Sequence, residues 1–222
     1  MIIIGIDPSL NSSAITIYKN NTYSYYNYTN NKPNNKWVKE VNNIIHFHFH
    51  RHKETGDFSK SEVLKLEIYD EITDNIVNNI IEVTNNEETK VFIEGYSYSS
   101  AAGRLIDLVT FSTLLRYKLL KNMNIILHVI PPSSLKKSIG GLVYGIGKDK
   151  VARNEDGMAA GSFKKKEMMK ALLEFDKING EYFNYLKVNK DRLLSPKNIP
   201  KPFDDINDSL SLVQHGRNIY EL

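Results

Sequence analysis

The chain has 222 residues, 41% of them hydrophobic, a formal net charge of +3 and no cysteine. That length points to one domain with decorations, and the missing cysteines exclude disulfides, thiolate zinc sites and cysteine nucleophiles, in keeping with a reducing cytoplasm. No stretch approaches the ~18 consecutive apolar residues of a membrane span, and the apolar N-terminus has neither the basic lead nor the small-residue cleavage site of a signal peptide.

Charge is unevenly spread. Residues 136–170 carry nine Lys/Arg against four acids, a local +5 that leaves the rest of the chain slightly acidic. The first element is Ile2-Ile3-Ile4-Gly5-Ile6-Asp7, an apolar run of the kind buried on both faces of a covered sheet. It ends in a carboxylate at the Pro8-Ser9 turn. Asp7 either caps that turn or sits desolvated at a strand end, where a cation has to meet it. Residues 14–19 and 22–28 are β-rich and flank Lys19-Asn20-Asn21, which reads as a hairpin turn. Residues 29–42 read as an Asn/Lys-rich loop, and 30–58 as a candidate β insertion. Within it, Ile45-His46-Phe47-His48-Phe49-His50-Arg51-His52 alternates strictly. Such a histidine row can hold a metal or meet a phosphate, or simply be the wet face of a strand.

Ser59-x-x-Glu62 has the form of a capping box and opens a predicted helix over 61–83, with Leu64, Ile68, Ile72, Ile76 and Ile80 at four-residue spacing. Lys90-Val91-Phe92-Ile93-Glu94 is a second short apolar strand that ends in an acid. The predicted helix over 104–121 is apolar round most of its circumference, which calls for cover on more than one side. Leu108, Phe111 and Leu115 are therefore candidates for a subunit interface. Ile125–Ile130 is a further strand, stopped by Pro131-Pro132. The strand–helix–strand alternation forces parallel pairing. The fold expected is a mixed five-stranded α/β sheet, with strands 1–3 antiparallel, strands 1, 4 and 5 parallel, and helices on both faces.

Residues 138–162 are glycine-rich and basic and read as a mobile loop. The helix after it starts near Ser162 with Lys164, Lys165 and Lys166 in its first turn. The helix dipole disfavours cations there, so an anion is expected beside them. Residues 178–203 suggest no role. Asp204, Asp205 and Asp208 open the last helix, where acids also serve as caps. Helical geometry does not choose among them: Asp204 and Asp208 lie about 40° apart, Asp205 and Asp208 about 60°.

Four stretches together resemble a family. Gly5-Ile6-Asp7-Pro8-Ser9-Leu10, Phe92-Ile93-Glu94, the Gly161-to-Lys166 lysine turn and Asp205-x-x-Asp208-Ser209-Leu210 stand in the order seen in RuvC-type Holliday junction resolvases, nucleases of the RNase H-like fold. Gly103-Arg104-Leu105 and Pro132-Ser133-Ser134-Leu135-Lys136 resemble the phage and viral branch. The family's aromatic three residues after the glutamate is here Ser97, between Tyr96 and Tyr98, and the loop before the lysine turn is longer than usual.

The resemblance implies one RNase H-like domain and a Mg²⁺-dependent endonuclease that cuts four-way or branched DNA. Two Mg²⁺ ions, with Mn²⁺ as a substitute, would be held by Asp7, Glu94, Asp205 and Asp208, leaving Asp204 as a cap or outer residue. Lys166 matches the family's catalytic lysine. Tyr96, Tyr98, Arg104, Lys136, Lys137, Lys148, Lys150, Lys164 and Lys165 would contact DNA. It further implies a homodimer, with no membrane association, in the cytoplasm (the host's, if the chain is phage or viral). An RNA–DNA hybrid nuclease and a catalytically silent scaffold share the fold. A nucleotide-binding protein of the actin/hexokinase type would need a second phosphate loop and a longer chain.

Overall fold

The computed structural model describes residues 1–30, 32–51, 56–96, 102–175 and 178–220, without the side chains of 102–104. Six strands, β1 (Ile2–Asp7), β2 (Ser12–Lys19), β3 (Thr22–Thr29), β4 (Ile45–Phe49), β5 (Thr89–Glu94) and β6 (Ile125–Ile130), form one sheet in the order β4-β3-β2-β1-β5-β6. β1, β2 and β3 are antiparallel, and β5 and β6 continue from β1 in parallel. This is the mixed α/β sheet expected from the sequence, with strands 1–3 antiparallel and the following strands parallel to the first.

β1 is buried along its whole length, and its side chains alternate between two cores. Ile2, Ile4 and Ile6 face α2 (Phe58–Thr84) and α3 (Ala102–Asn122), where Tyr69, Ile76, Phe111 and Leu115 close the layer. Ile3 faces the opposite layer, built from α4 (Pro132–Tyr144), α5 (Lys165–Glu174) and α8 (Phe203–Ile219). Among the described residues there are also the short helices α1 (Lys36–Val41), α6 (Glu181–Val188) and α7 (Lys190–Leu194) and a 3-10 turn at Ala160–Ser162.

The sheet has a sixth strand beyond the five expected. β4 pairs in parallel with β3, from Tyr25↔Ile45 to Thr29↔Phe49. It covers an edge of β3 that would otherwise offer unpaired backbone groups. The stretch leading to it is not all loop, because α1 lies within it and supplies the crossover that a parallel pair requires. The histidine row spends its rings on β3: His46 stacks on Tyr26 at 5.0 Å and His48 on Tyr28 at 4.5 Å. His52 lies outside the described residues.

Three local expectations change. α2 starts at Phe58 and is capped by Asp57, whose carboxylate accepts the Lys60 N–H at 3.0 Å, so Ser59 is inside the helix. Residues 138–144 belong to α4, and Gly140 is needed there because a Cβ would run into Ala160. The stretch that follows is tied down rather than free: Arg153 bridges Ala159, the Ala160 N–H donates to the Ala152 carbonyl at 2.9 Å, and both Ala152 and Ala160 are buried. Finally, Phe111 and Leu115 are core residues, so the apolar width of α3 is mostly spent on α2 and the sheet.

Candidate active site

The site lies at one end of β1 and β5. Parallel pairing of Ile6 with Ile93 sets the next residues, Asp7 and Glu94, side by side at the strand ends. The third side comes from α8, which crosses directly over β1. Gly5 makes that crossing feasible, since a Cβ at this position would be driven into the Ser209 carbonyl oxygen. The Thr16 and Ser209 hydroxyls, 2.7 Å apart, fasten the same crossing to β2. Asp204, Asp205 and Asp208 are thereby carried by the first two turns of α8 to the ends of the strands.

Two lysines meet these acids. Lys165, the first residue of α5, pairs with Asp208 and lies 3.3 Å from Asp204. Lys201, just before α8, pairs with Asp205 and lies 3.4 Å from Asp204. Even so, the acids are crowded. Burial raises the Asp7 pKa, helped by Asp204 and opposed by Lys165 and Lys201. Burial also pushes Glu94 well above the usual range, with Asp7 and Asp208 adding repulsion. Asp208 is pushed up to about 6 by burial, against the pull of Lys165. Burial draws the Lys165 ammonium down, but Asp208, Asp7 and Asp204 outweigh it and leave it above its ordinary value.

This donor set suits a hard divalent cation, being all carboxylate oxygen. One of its acceptors is open: Asp205 is buried, and its Oδ2 has no hydrogen-bond partner among the described residues. Among those residues no three acids converge on one cation-sized point, and Lys165 and Lys201 are paired with Asp208 and Asp205.

The residues expected from sequence are distributed as follows. Asp7, Glu94, Asp204 and Asp208 act on one another's charge at this strand end, with Asp204 between the two lysines rather than acting as the cap, a position Pro202 takes, and Asp205 is tied to the group through Lys201. It is Lys165, not Lys166, whose ammonium enters the cluster. Lys166 instead lines an adjoining cleft with Lys164. Lys136 and Lys137 lie on α4, where the Lys137 stem lies against Gly161, and Lys148 and Lys150 are exposed beyond it.

Tyr96 folds back onto α3. Its hydroxyl lies 3.1 Å from the Thr113 hydroxyl and accepts from Arg116, which also donates to the Glu94 carbonyl at 3.3 Å. Tyr98 and the Arg104 side chain lie outside the described residues. Sequence reading missed Lys201 and Arg116. Four-residue spacing from Asp205 was the available signal for Lys201, whereas nothing in the pattern of α3 singled out Arg116.

No family model and no curated protein matches the chain. Among solved structures it is similar to Thermus thermophilus RuvC (12% identity, TM-score 0.45, covering 100% of this chain and 95% of that one). The same enzyme in complex with a Holliday junction substrate gives 11% identity and a TM-score of 0.46, over 100% and 94% of the two chains. The yeast mitochondrial Holliday junction resolvase Ydc2 gives 13% identity and a TM-score of 0.49, over 99% and 82%. Among the described residues no helix is long and apolar enough to cross a membrane.

Proposed function

We propose that this chain is a metal-dependent endonuclease that hydrolyses phosphodiesters in branched DNA, four-way junctions above all. The observation that carries this reading is the group of acids, Asp7, Asp205 and Asp208 buried and Glu94 and Asp204 half-buried, gathered with two lysines at the end of β1 and β5. Four of its members stand in motifs that resemble RuvC-type resolvases. The phage and viral affinity rests on Gly103-Arg104-Leu105 and Pro132–Lys136 alone.

Asp7, Glu94, Asp205 and Asp208 would hold Mg²⁺, or Mn²⁺ in its place, with Asp204 in reach of the same ions. Bound there, the metal supplies a water acidic enough to attack phosphorus and charge to stabilise the departing oxygen. The protein's own part is positional. The β1–β5 pairing sets where Asp7 and Glu94 leave the sheet, and the Gly5 crossing sets where the first turns of α8 carry Asp205 and Asp208. Lys165 offers its ammonium to the phosphate oxygens as negative charge builds during attack. Lys166, one residue on, reaches the backbone from the adjoining cleft.

A homodimer follows from the two equivalent cuts that a four-way junction demands, which a closed two-fold pair provides most simply. Its surface is the outer stripe of α3, where Ile106, Thr110, Thr113, Tyr117 and Leu120 recur at alternating four- and three-residue spacing and are exposed. Ile106 is 66% exposed, Tyr117 57% and Leu120 58%, an apolar line that ought to be covered.

The decisive experiment incubates the protein with a four-way junction, a linear duplex and an RNA–DNA hybrid, each with Mg²⁺ and with chelator. Junction cleavage that needs the metal is the expected result. Cleavage of the hybrid alone would move the substrate class, and no cleavage of any of the three refutes the enzyme reading.

A further inference from the structure

Residues 195–202 hold three prolines and no regular element, and apart from Lys201 the nuclease reading gives them no task. They are nonetheless anchored. Ile199 is buried in the core with Phe183, Leu193 and Phe203, and the Lys201 pairs to Asp204 and Asp205 lock the segment onto the first turn of α8. Opposite this wall stands the start of α5. Between them lies a cleft of about 490 Å³, with Lys164, Lys165, Lys166 and Glu167 on one side and Lys197, Asn198, Ile199 and Lys201 on the other, and Asp204 also lining it.

The lining therefore carries five lysines against two acids. Both acids are engaged: Glu167 accepts the Lys164 backbone N–H at 3.0 Å, and Asp204 lies between Lys165 and Lys201. Lys164, Lys166 and Lys197 have no ion pair among the described residues, yet they face one space. Like charges brought together in this way call for an anion. Among the described residues no aromatic side chain lines the cleft, and none there offers a base a face to stack on. The chemistry selects phosphate, not nucleoside.

We propose that this cleft is a second phosphate subsite, holding a backbone phosphate of the same DNA strand that enters the acid cluster. Lys197 is its ligand from the far wall, and Lys201 is the positioning residue that fixes that wall to Asp204 and Asp205. The inference rests on the nucleic-acid reading of the acid site and adds the path of the strand beyond it. A second contact from a segment anchored at Ile199 and Lys201 would set the register of the strand against the acids.

The test measures binding of a four-way junction in chelator, where no cleavage occurs, across a range of salt concentrations. Lys197→Ala is expected to flatten the slope of log K against log salt by about 0.9, the loss of one phosphate contact. Lys197→Arg should keep the slope. So should Lys19→Ala, a control at the opposite end of the sheet. Melting curves in inorganic phosphate form the second arm. A Lys197→Ala slope equal to wild type overturns the proposal. It also fails if inorganic phosphate stabilises the wild type saturably, the effect is lost in Lys197→Ala and the DNA slope is unchanged, since the cleft would then take a free anion. The two readings fail separately: a protein that cuts nothing but shows the flattened slope loses only the nuclease, and a junction nuclease with an unchanged slope loses only the subsite.

Discussion

Ionising Asp208 works against folding, and this can be measured without any substrate. Its carboxyl titrates at about 6 in the folded chain against 3.8 when unperturbed, with burial the leading cause. Between those two values the folded protein holds a proton that the unfolded chain has released, so stability falls as pH rises through that window. Below 3.8 both states are protonated and Asp208 contributes nothing; above 6 the full cost is present. At about 1.36 kcal/mol per pH unit, the gap amounts to roughly 3 kcal/mol. Asp208 is only 7% exposed, so solvent screening does little to reduce it. In a chain of this size, 1 kcal/mol moves Tm by about 2–4 °C. In chelator, wild type should therefore lose roughly 6–12 °C more than Asp208→Asn between about pH 4 and pH 7. Thermal melts of both proteins at closely spaced pH values give the comparison directly. Parallel pH profiles, or a wild type that gains on the variant as pH rises, would refute the electrostatic account of the site.

Asp7→Asn and Glu94→Gln should abolish cleavage while keeping junction affinity, and a residual rate within tenfold of wild type, about 1.4 kcal/mol of barrier, would remove them from the catalytic set. Lys165→Ala should lower turnover more than Lys166→Ala in the same assay, and the reverse order would restore Lys166 to the catalytic place. Gly5→Ala should destabilise by roughly 1–3 kcal/mol through overpacking and silence cleavage together, read by denaturant titration and junction cutting; an active, equally stable variant would mean that α8 does not need its close crossing. Ile106→Glu with Tyr117→Glu should yield a folded monomer by sedimentation, whereas Leu115→Ala should lose about 2–5 kcal/mol of stability; a folded dimer in the double variant would place the contact elsewhere.

The sheet was legible because its period is plain. Four isoleucines round Gly5 can only be a strand covered on both faces, and the acid that ends each of the two parallel strands falls at the same end once they pair. The outer parts were less legible for definite reasons. α1 is only six residues long and lies in an Asn/Lys-rich stretch, so propensity says little about it. β4 joins the sheet through contacts with β3 that no local pattern reports. The wide apolar face of α3 was visible, but sequence does not say which side of it a neighbouring helix takes. The structure gives Phe111 and Leu115 to α2 and the sheet, and leaves Ile106, Tyr117 and Leu120 outside.

Ion pairing, not helix phase, decides between Lys165 and Lys166. α5 buries Met168, Met169, Leu172 and Leu173. Lys165 stands three residues before Met168 and seven before Leu172, and Lys166 three before Met169 and seven before Leu173, so the apolar period favours neither. A motif match fixes the neighbourhood of a lysine but not its partner, and among the described residues it is the Lys165 ammonium that pairs with Asp208. Helix phase does not separate Asp204 from Asp205 either, because α8 is buried almost all round and has no outward face to set its phase. There the contacts differ. Lys165 pairs with Asp208 and Lys201 with Asp205, Asp204 lies 3.3 Å and 3.4 Å from the same two ammonium groups, and Asp205 keeps one buried oxygen without a partner among the described residues. On the proposed metal reading, Asp205 is the acid with an oxygen to spare for an ion, and Asp204 bridges two lysines that other acids already hold. Asp204→Asn should therefore leave metal affinity less affected than Asp205→Asn does. Calorimetric Mn²⁺ titration of the two variants measures the difference, and a larger loss in Asp204→Asn would reverse the assignment.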